Sequence, residues 1–137
     1  MDKEKRALLI QAAEESREKA YAPYSHFHVG AAVLTEGDTI YTGCNVENAS
    51  YGLTICGERS AIFTAISQEG PSLRLKAIAV SVSPEAAIAS PCGSCRQVIA
   101  EFSGPKTVII YKKDQIYTDV TVGDLLPDQF ILQRETI

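Results

Sequence analysis

The sequence predicts an α/β fold: one mixed sheet of five strands, with helices covering both of its faces. Three observations carry that expectation. Segments of helical period alternate with β-rich runs in the order helix, two strands, helix, strand, helix, two strands. The first two strands are separated only by Glu36-Gly37-Asp38, a Gly-containing link short enough for a hairpin. The last two are separated by Lys113-Asp114, too short for a parallel crossover, so they must pair antiparallel. With 137 residues, 45% apolar and 22% charged, the chain reads as a single domain over residues 1–137 that can close around a substantial core.

Taken in order, Leu8, Leu9, Ala12, Ala13 and Ala20 recur near helical spacing among charged residues, which predicts an amphipathic helix from Lys3 to about Ala20, stopped before Pro23. Phe27 to Thr35 and Thr39 to Asn45 form the hairpin strands. Val46 to Ile55 is mixed in character. Cys56 to about Gln68 is rich in helix formers and ends at Gly70-Pro71. Leu75 to Val82 is a strand, and a loop of small residues leads to Pro91. Cys92 to Phe102 reads as a helix stopped by Ser103-Gly104-Pro105. Thr107 to Tyr111 and Gln115 to Val120 are the closing strands, followed by a helical turn around Val122 to Leu126. No repeat, linker or low-complexity tract interrupts this order.

The composition narrows the function. A net charge of −4 offers no basic surface for phosphates, which argues against a nucleic-acid partner and for a small neutral substrate. There is no secretory leader pattern and no apolar run near the ~18 residues a membrane span needs, so no membrane partner is expected and the expected location is the cytoplasm. In a reducing compartment Cys44, Cys56, Cys92 and Cys95 are better read as metal ligands or reactive thiols than as a disulfide framework.

Their spacing is informative. Cys56 opens one predicted helix, and Pro91-Cys92-Gly93-Ser94-Cys95 opens another. Unpaired N–H groups and the positive dipole end at a helix start favour thiolates, the form that binds zinc. Three such ligands leave a tetrahedral zinc one open position, the catalytic rather than the structural pattern. Glu58 lies two residues after Cys56, beside the metal and free for proton transfer. The combined pattern C-x-E…P-C-x-x-C is the three-cysteine form of the zinc deaminase signature. Cys44, on a strand with no nearby partner, reads as a small buried residue. His26 and His28 lack a second ligand at useful spacing.

With AYAPYSHFHVGAA (20–32), GCNVENASYG (43–52), CGERSA (56–61) and PCGSCRQ (91–97), the chain resembles the small homotetrameric, zinc-dependent cytidine deaminases over nearly its whole length. Gly57 departs from the alanine many members carry there, at a position where only the backbone is expected to matter. The resemblance implies their three-layer fold, one Zn2+ per chain on Cys56, Cys92 and Cys95, and hydrolysis of cytidine and deoxycytidine to uridine and deoxyuridine with loss of ammonia, a step of pyrimidine salvage. It implies that Glu58 shuttles protons from water to ring N3 and then to the departing amino group, help typically worth ~10²–10⁴-fold. Three thiolates leave the zinc site net negative, and Arg59 is implied to offset this by hydrogen-bonding the ligand sulfurs. Asn45 and Glu47, two apart and on one side if the strand continues, are implied to hold the ribose. Phe27 is implied to flank the base, the backbone around Gly57 and Ser90 to address its edge, and Phe130 to reach a neighbouring subunit's site, which carries the homotetramer with it. Three rivals remain: a deaminase of a related amino-pyrimidine such as blasticidin S, a thiol-redox protein using Cys92 and Cys95, and a non-catalytic zinc-binding module.

Overall fold

In the computed structural model, residues 1–84, 86 and 89–132 are described. Helix α1 spans Lys3–Arg17, starting at Asp2, whose carboxylate accepts the Lys5 N–H at 2.8 Å. It ends earlier than its periodicity suggests, because the amides of Glu18, Lys19 and Ala20 bond to the carbonyls of Glu15, Ser16 and Arg17 and tighten the last turn. Strands β1 (Val29–Thr35) and β2 (Ile40–Cys44) form the hairpin, and a single 3-10 turn, Tyr51–Leu53, interrupts the connection to helix α2 (Gly57–Glu69). Strand β3 (Leu75–Val82), helix α3 (Gly93–Glu101), strands β4 (Ser103–Lys113) and β5 (Ile116–Thr121) and a short helix α4 (Val122–Leu125) complete the order.

Among the described residues five strands make one sheet in the order β2-β1-β3-β4-β5. Only β3 and β4 run parallel, joined through α3; the other neighbours are antiparallel. The mixed α/β sheet with an antiparallel closing pair is therefore as expected. Two local differences have physical causes. Strand β4 begins at Ser103 rather than Thr107, with a register shift opposite Leu75 and Ala77. Pro105 has no N–H for the ladder, and the Thr107 hydroxyl fills in, donating to the Leu75 carbonyl at 2.7 Å and accepting the Gly104 N–H at 2.9 Å. The β4–β5 turn is centred on Asp114 and Gln115, both at positive φ (53° and 67°), the pair that matches a two-residue hairpin to strand twist.

Side-chain alternation divides the core into two layers. Ala32 and Leu34 of β1, Ala77 and Ala79 of β3 and Ile110 of β4 pack under α1 with Leu9 and Ala13. Their neighbours Ala31, Val33, Ile78, Val80, Ile109 and Tyr111 face Ala61, Ile62 and Ala65 of α2 and Ile99 of α3. Because both faces are covered, the central strands β1 and β3 are buried at nearly every position rather than at alternate ones.

Two glycines set how closely the layers meet. A Cβ on Gly30 would lie 2.1 Å from the Ala13 carbonyl oxygen of α1, and one on Gly43 would lie 2.3 Å from the Ala61 nitrogen of α2. These are backbone contacts that no rotamer change relieves. Gly43→Ala should therefore destabilise the protein by about 3 kcal/mol or more, read as a lower urea midpoint; a midpoint equal to the parent's would show that α2 does not rest on β2 as described.

Candidate metal centre and active site

The sulfur cluster is built by two helix starts. Cys56 is the residue before α2 and Cys92 the residue before α3, both in extended backbone conformation, while Cys95 lies in the first turn of α3 and is buried. Since α2 and α3 share one layer of the core, their N-termini meet. The Sγ atoms of Cys56, Cys92 and Cys95 all lie within 4.8 Å of one another, with Cys56 and Cys92 4.0 Å apart. Sulfurs each ~2.3 Å from a shared tetrahedral zinc stand roughly 3.8 Å apart, so the donor set fits one zinc with little adjustment. Among the described residues no fourth His, Cys, Asp or Glu joins the group, and the half-buried Cys44 stands outside it.

Charge is arranged around the sulfurs. The Cys56 thiol is held well below the usual range, first by a hydrogen bond from Cys95 and then by the guanidinium of Arg59, whose Nη2 donates to Cys56 Sγ at 3.2 Å. Cys95 moves the opposite way, as the partner that keeps its proton and lends it to the Cys56 thiolate. The backbone N–H of Cys95 donates to Cys92 Sγ at 3.5 Å, one of the amides that α3 leaves unpaired at its start. Glu58, in the first turn of α2, is only 5% exposed, and that burial pushes its carboxyl up to about 7, with the nearby Cys56 charge adding to the rise.

Glu58 opens into a cavity of about 200 Å³ that is also lined by Phe27, Asn45, Cys56, Ser90 and Cys92. Val29, Thr54, Val80, Val82 and Ala89 complete its largely apolar wall. The sequence had not singled these out, because their contribution is position rather than chemistry. Gly57, the first residue of α2, is buried beneath this wall; a Cβ there would meet Val29 Cγ1 at 3.0 Å.

After β2 the chain stays extended. Val46 pairs with Tyr21 on one side and Ile55 on the other and is exposed, while Asn45 and Glu47 on either side of it are buried. Asn45 accepts the Val29 N–H at 2.9 Å and donates to the Phe27 carbonyl at 2.7 Å, so it fixes the stretch carrying Phe27. That stretch belongs to no ladder, which is why β1 begins at Val29 and not at Phe27. Glu47 lies in an adjoining hollow with Tyr24, Ser25 and Tyr51; Thr54 lines both spaces. Its carboxylate accepts from the Tyr24 and Ser25 amides and the Ser25 hydroxyl, and the hydroxyl above all holds its pKa down. Phe130 is apart from this group: it is 72% exposed on the C-terminal tail, with its carbonyl accepting from Gln97 Nε2 at 3.3 Å. Arg96, absent from the candidates that the motifs supplied, spans the entry to α3 and the end of α4.

Comparison with known proteins agrees with this geometry. Residues 3–112 match the cytidine and deoxycytidylate deaminase zinc-binding region. The cytidine deaminase of Sporosarcina psychrophila is 48% identical over 131 residues, covering 95% of this chain and 92% of that protein. The crystal structure of a cytidine deaminase from Burkholderia pseudomallei superposes with a TM-score of 0.83 at 45% identity, covering 95% of this chain and all of that one. One from Mycobacterium tuberculosis superposes at 0.79 with 40% identity, over 93% and 98% of the two chains.

The raised Glu58 carboxyl has a consequence for stability. The folded metal-free protein keeps this proton up to about pH 7, whereas the unfolded chain releases it near the ordinary 4.5, so ionisation penalises the folded state increasingly above pH 4.5 and fully above pH 7. In metal-free protein Glu58→Gln should be the more stable form at pH 8, by on the order of 3 kcal/mol, with the advantage fading as the pH falls toward 4.5. Thermal melts of the two proteins across that range check this; a pH-independent difference would mean that the carboxyl is not buried as described.

Proposed function

This chain belongs to the cytidine and deoxycytidylate deaminase zinc-binding family, and from that premise we propose that it hydrolyses the 4-amino group of cytidine and deoxycytidine, giving uridine and deoxyuridine with release of ammonia, as a single deaminase domain serving pyrimidine nucleoside salvage. The observation that carries this reading is the meeting of three cysteine sulfurs and one buried glutamate at a cavity of about 200 Å³.

A zinc ion would be held by Cys56, Cys92 and Cys95 and would supply Lewis acidity, lowering the pKa of a water toward neutrality. Everything else is the work of side chains. Glu58, with its carboxyl raised to about 7, can both accept and donate a proton near neutrality. In this reading it takes a proton from the attacking water and gives it to ring N3, which makes C4 electrophilic. It then takes the remaining proton from the new C4 hydroxyl and passes it to the amino group, so that the C4–N bond breaks, ammonia departs and the C4 carbonyl of the product forms. Arg59, already 3.2 Å from Cys56 Sγ, offsets the excess negative charge of three thiolates.

Recognition follows the polar groups that remain free. Asn45 spends one N–H and one acceptor position on the backbone, leaving a second N–H and a lone pair for a sugar hydroxyl. Glu47 offers a carboxylate beside it. Phe27 presents a partly exposed ring to one face of the base, and the backbones of Gly57 and Ser90 address the edge. Phe130 is too exposed on the tail to serve its own cavity, which favours a role at a neighbouring subunit's site and hence a homotetramer. Among the described residues no helix is long and apolar enough to cross a membrane. The four cysteines are all unpaired, which suits the reducing cytoplasm.

The deciding experiment incubates purified protein with cytidine, following the loss of ultraviolet absorbance, ammonia release and bound zinc. Glu58→Ala should keep about one zinc per chain and lose at least ~10²-fold in kcat, and Arg59→Gln should keep turning over while losing zinc faster to a chelator. Zinc binding by the parent without turnover would mark a non-catalytic zinc module instead, and full activity of Glu58→Ala would overturn the mechanism.

The quaternary reading has its own measurement. Light scattering should give a mass near four chains, and Phe130→Ala should raise KM for cytidine while leaving that mass unchanged. A monomer that turns over normally would remove both the tetramer and the role of Phe130.

A further inference from the structure

We propose that Arg96 is a positioning residue for the site, fixing the Ser90–Cys92 stretch and, through it, the direction of one zinc-binding sulfur and the edge against which the base lies. The proposal rests on reading Cys92 as a zinc ligand and Ser90 as part of the base site. Its observations are separate from those that support that reading.

Arg96 makes three side-chain hydrogen bonds. Nε donates to the Pro91 carbonyl at 2.8 Å, Nη1 to the Leu125 carbonyl at 2.8 Å, and Nη2 to the Ser90 hydroxyl at 3.4 Å. Two of the three therefore fall on the two residues that immediately precede Cys92. Cys92 is not helical itself; it enters α3 at φ −67° and ψ 170°. The peptide that joins it to Pro91 thus sets where its Sγ points, and Arg96 Nε holds the carbonyl of that peptide. The backbone of Arg96 adds a second hold, its N–H donating to the Cys92 carbonyl at 2.9 Å. Cys92 is exposed, so these bonds act with the Cys95 N–H on its Sγ at 3.5 Å to restrain it before metal arrives.

The third contact gives the arrangement a fixed point. The Leu125 carbonyl belongs to the last turn of α4, where helix carbonyls lack partners within the helix. Helix α4 is itself closed at its start by a capping box between Thr121 and Asp124. Arg96 thereby braces a loop that must not move against an element secured elsewhere. The task needs a planar fork with several donors in fixed directions, which an ammonium cannot reproduce.

A residue that merely ties α4 to α3 would affect stability alone, so the test compares Arg96 with a lesion confined to α4. Zinc-loaded parent, Arg96→Lys, Arg96→Gln and Thr121→Val, which removes the α4 cap and leaves Arg96 in place, are compared in three measurements: thermal midpoint, rate of zinc loss to a colorimetric chelator, and KM against kcat for cytidine. Both Arg96 variants should release zinc about tenfold faster or more and show KM raised about fivefold with a smaller change in kcat. Lysine should rescue little. Thr121→Val should lower the midpoint while keeping the parent's zinc release and KM. Parent-like zinc release and KM in Arg96→Lys would overturn the proposal, as would equal changes in Thr121→Val at a matched loss of midpoint. A parent protein that holds no zinc would overturn the ligand reading, and this proposal with it.

Discussion

The structure depends on bringing the starts of two helices from distant parts of the chain to within sulfur-to-sulfur distance of each other. Cys56 and Cys92 are 36 residues apart, yet their Sγ atoms are 4.0 Å apart. That convergence requires α2 and α3 to lie in the same layer of the core and to enter it at the same end of the sheet. It is secured from below by direct contact: Gly43 lets α2 rest its backbone on β2, and Gly30 does the same for α1 on the opposite face. The apolar strands between these layers leave little slack, because close-packed interiors transmit displacement rather than absorb it.

Within that frame the electrostatics are unfavourable until a cation is present. Three sulfurs and a buried carboxyl group occupy one corner, and among the described residues the Cys95 thiol, Arg59 and an unpaired amide at the start of α3 offset the charge there. Burial that keeps Glu58 protonated near neutrality would be a liability in a structural glutamate. In a proton carrier the same burial matches the group to its task. The site is thus locally strained in charge and supported by a fold that is otherwise well satisfied, a common division between function and stability.

The binding wall is organised by polar side chains that hold mainly backbone groups. Asn45 grips the chain at Phe27 and Val29, Glu47 gathers the amides of Tyr24 and Ser25, and Ser83 accepts the His28 N–H at 3.0 Å. Arg96 does the equivalent on the far side of the cavity, at Pro91 and Ser90. The loop stretches that contribute to the cavity are fixed by these side chains, which accounts for how loops can present precise groups without joining a ladder.

The sequence alone determined the alternation of elements, the two antiparallel hairpins, and the cysteine and glutamate side chains at the helix starts that carry them, because each is written in local spacing, turn composition or side-chain type. It did not place the ends of elements where a tertiary partner decides them: the β4 extension past Pro105 depends on the Thr107 hydroxyl reaching the Leu75 carbonyl, and the late start of β1 depends on Asn45. Nor did it reveal Arg96, whose carbonyl partner at Leu125 is 29 residues away, or the separation of Phe130 from its own chain's cavity. Local pattern reports what a residue can do; only the packed chain decides which distant backbone groups it meets, because those meetings are set by layers and register that no short window of sequence contains.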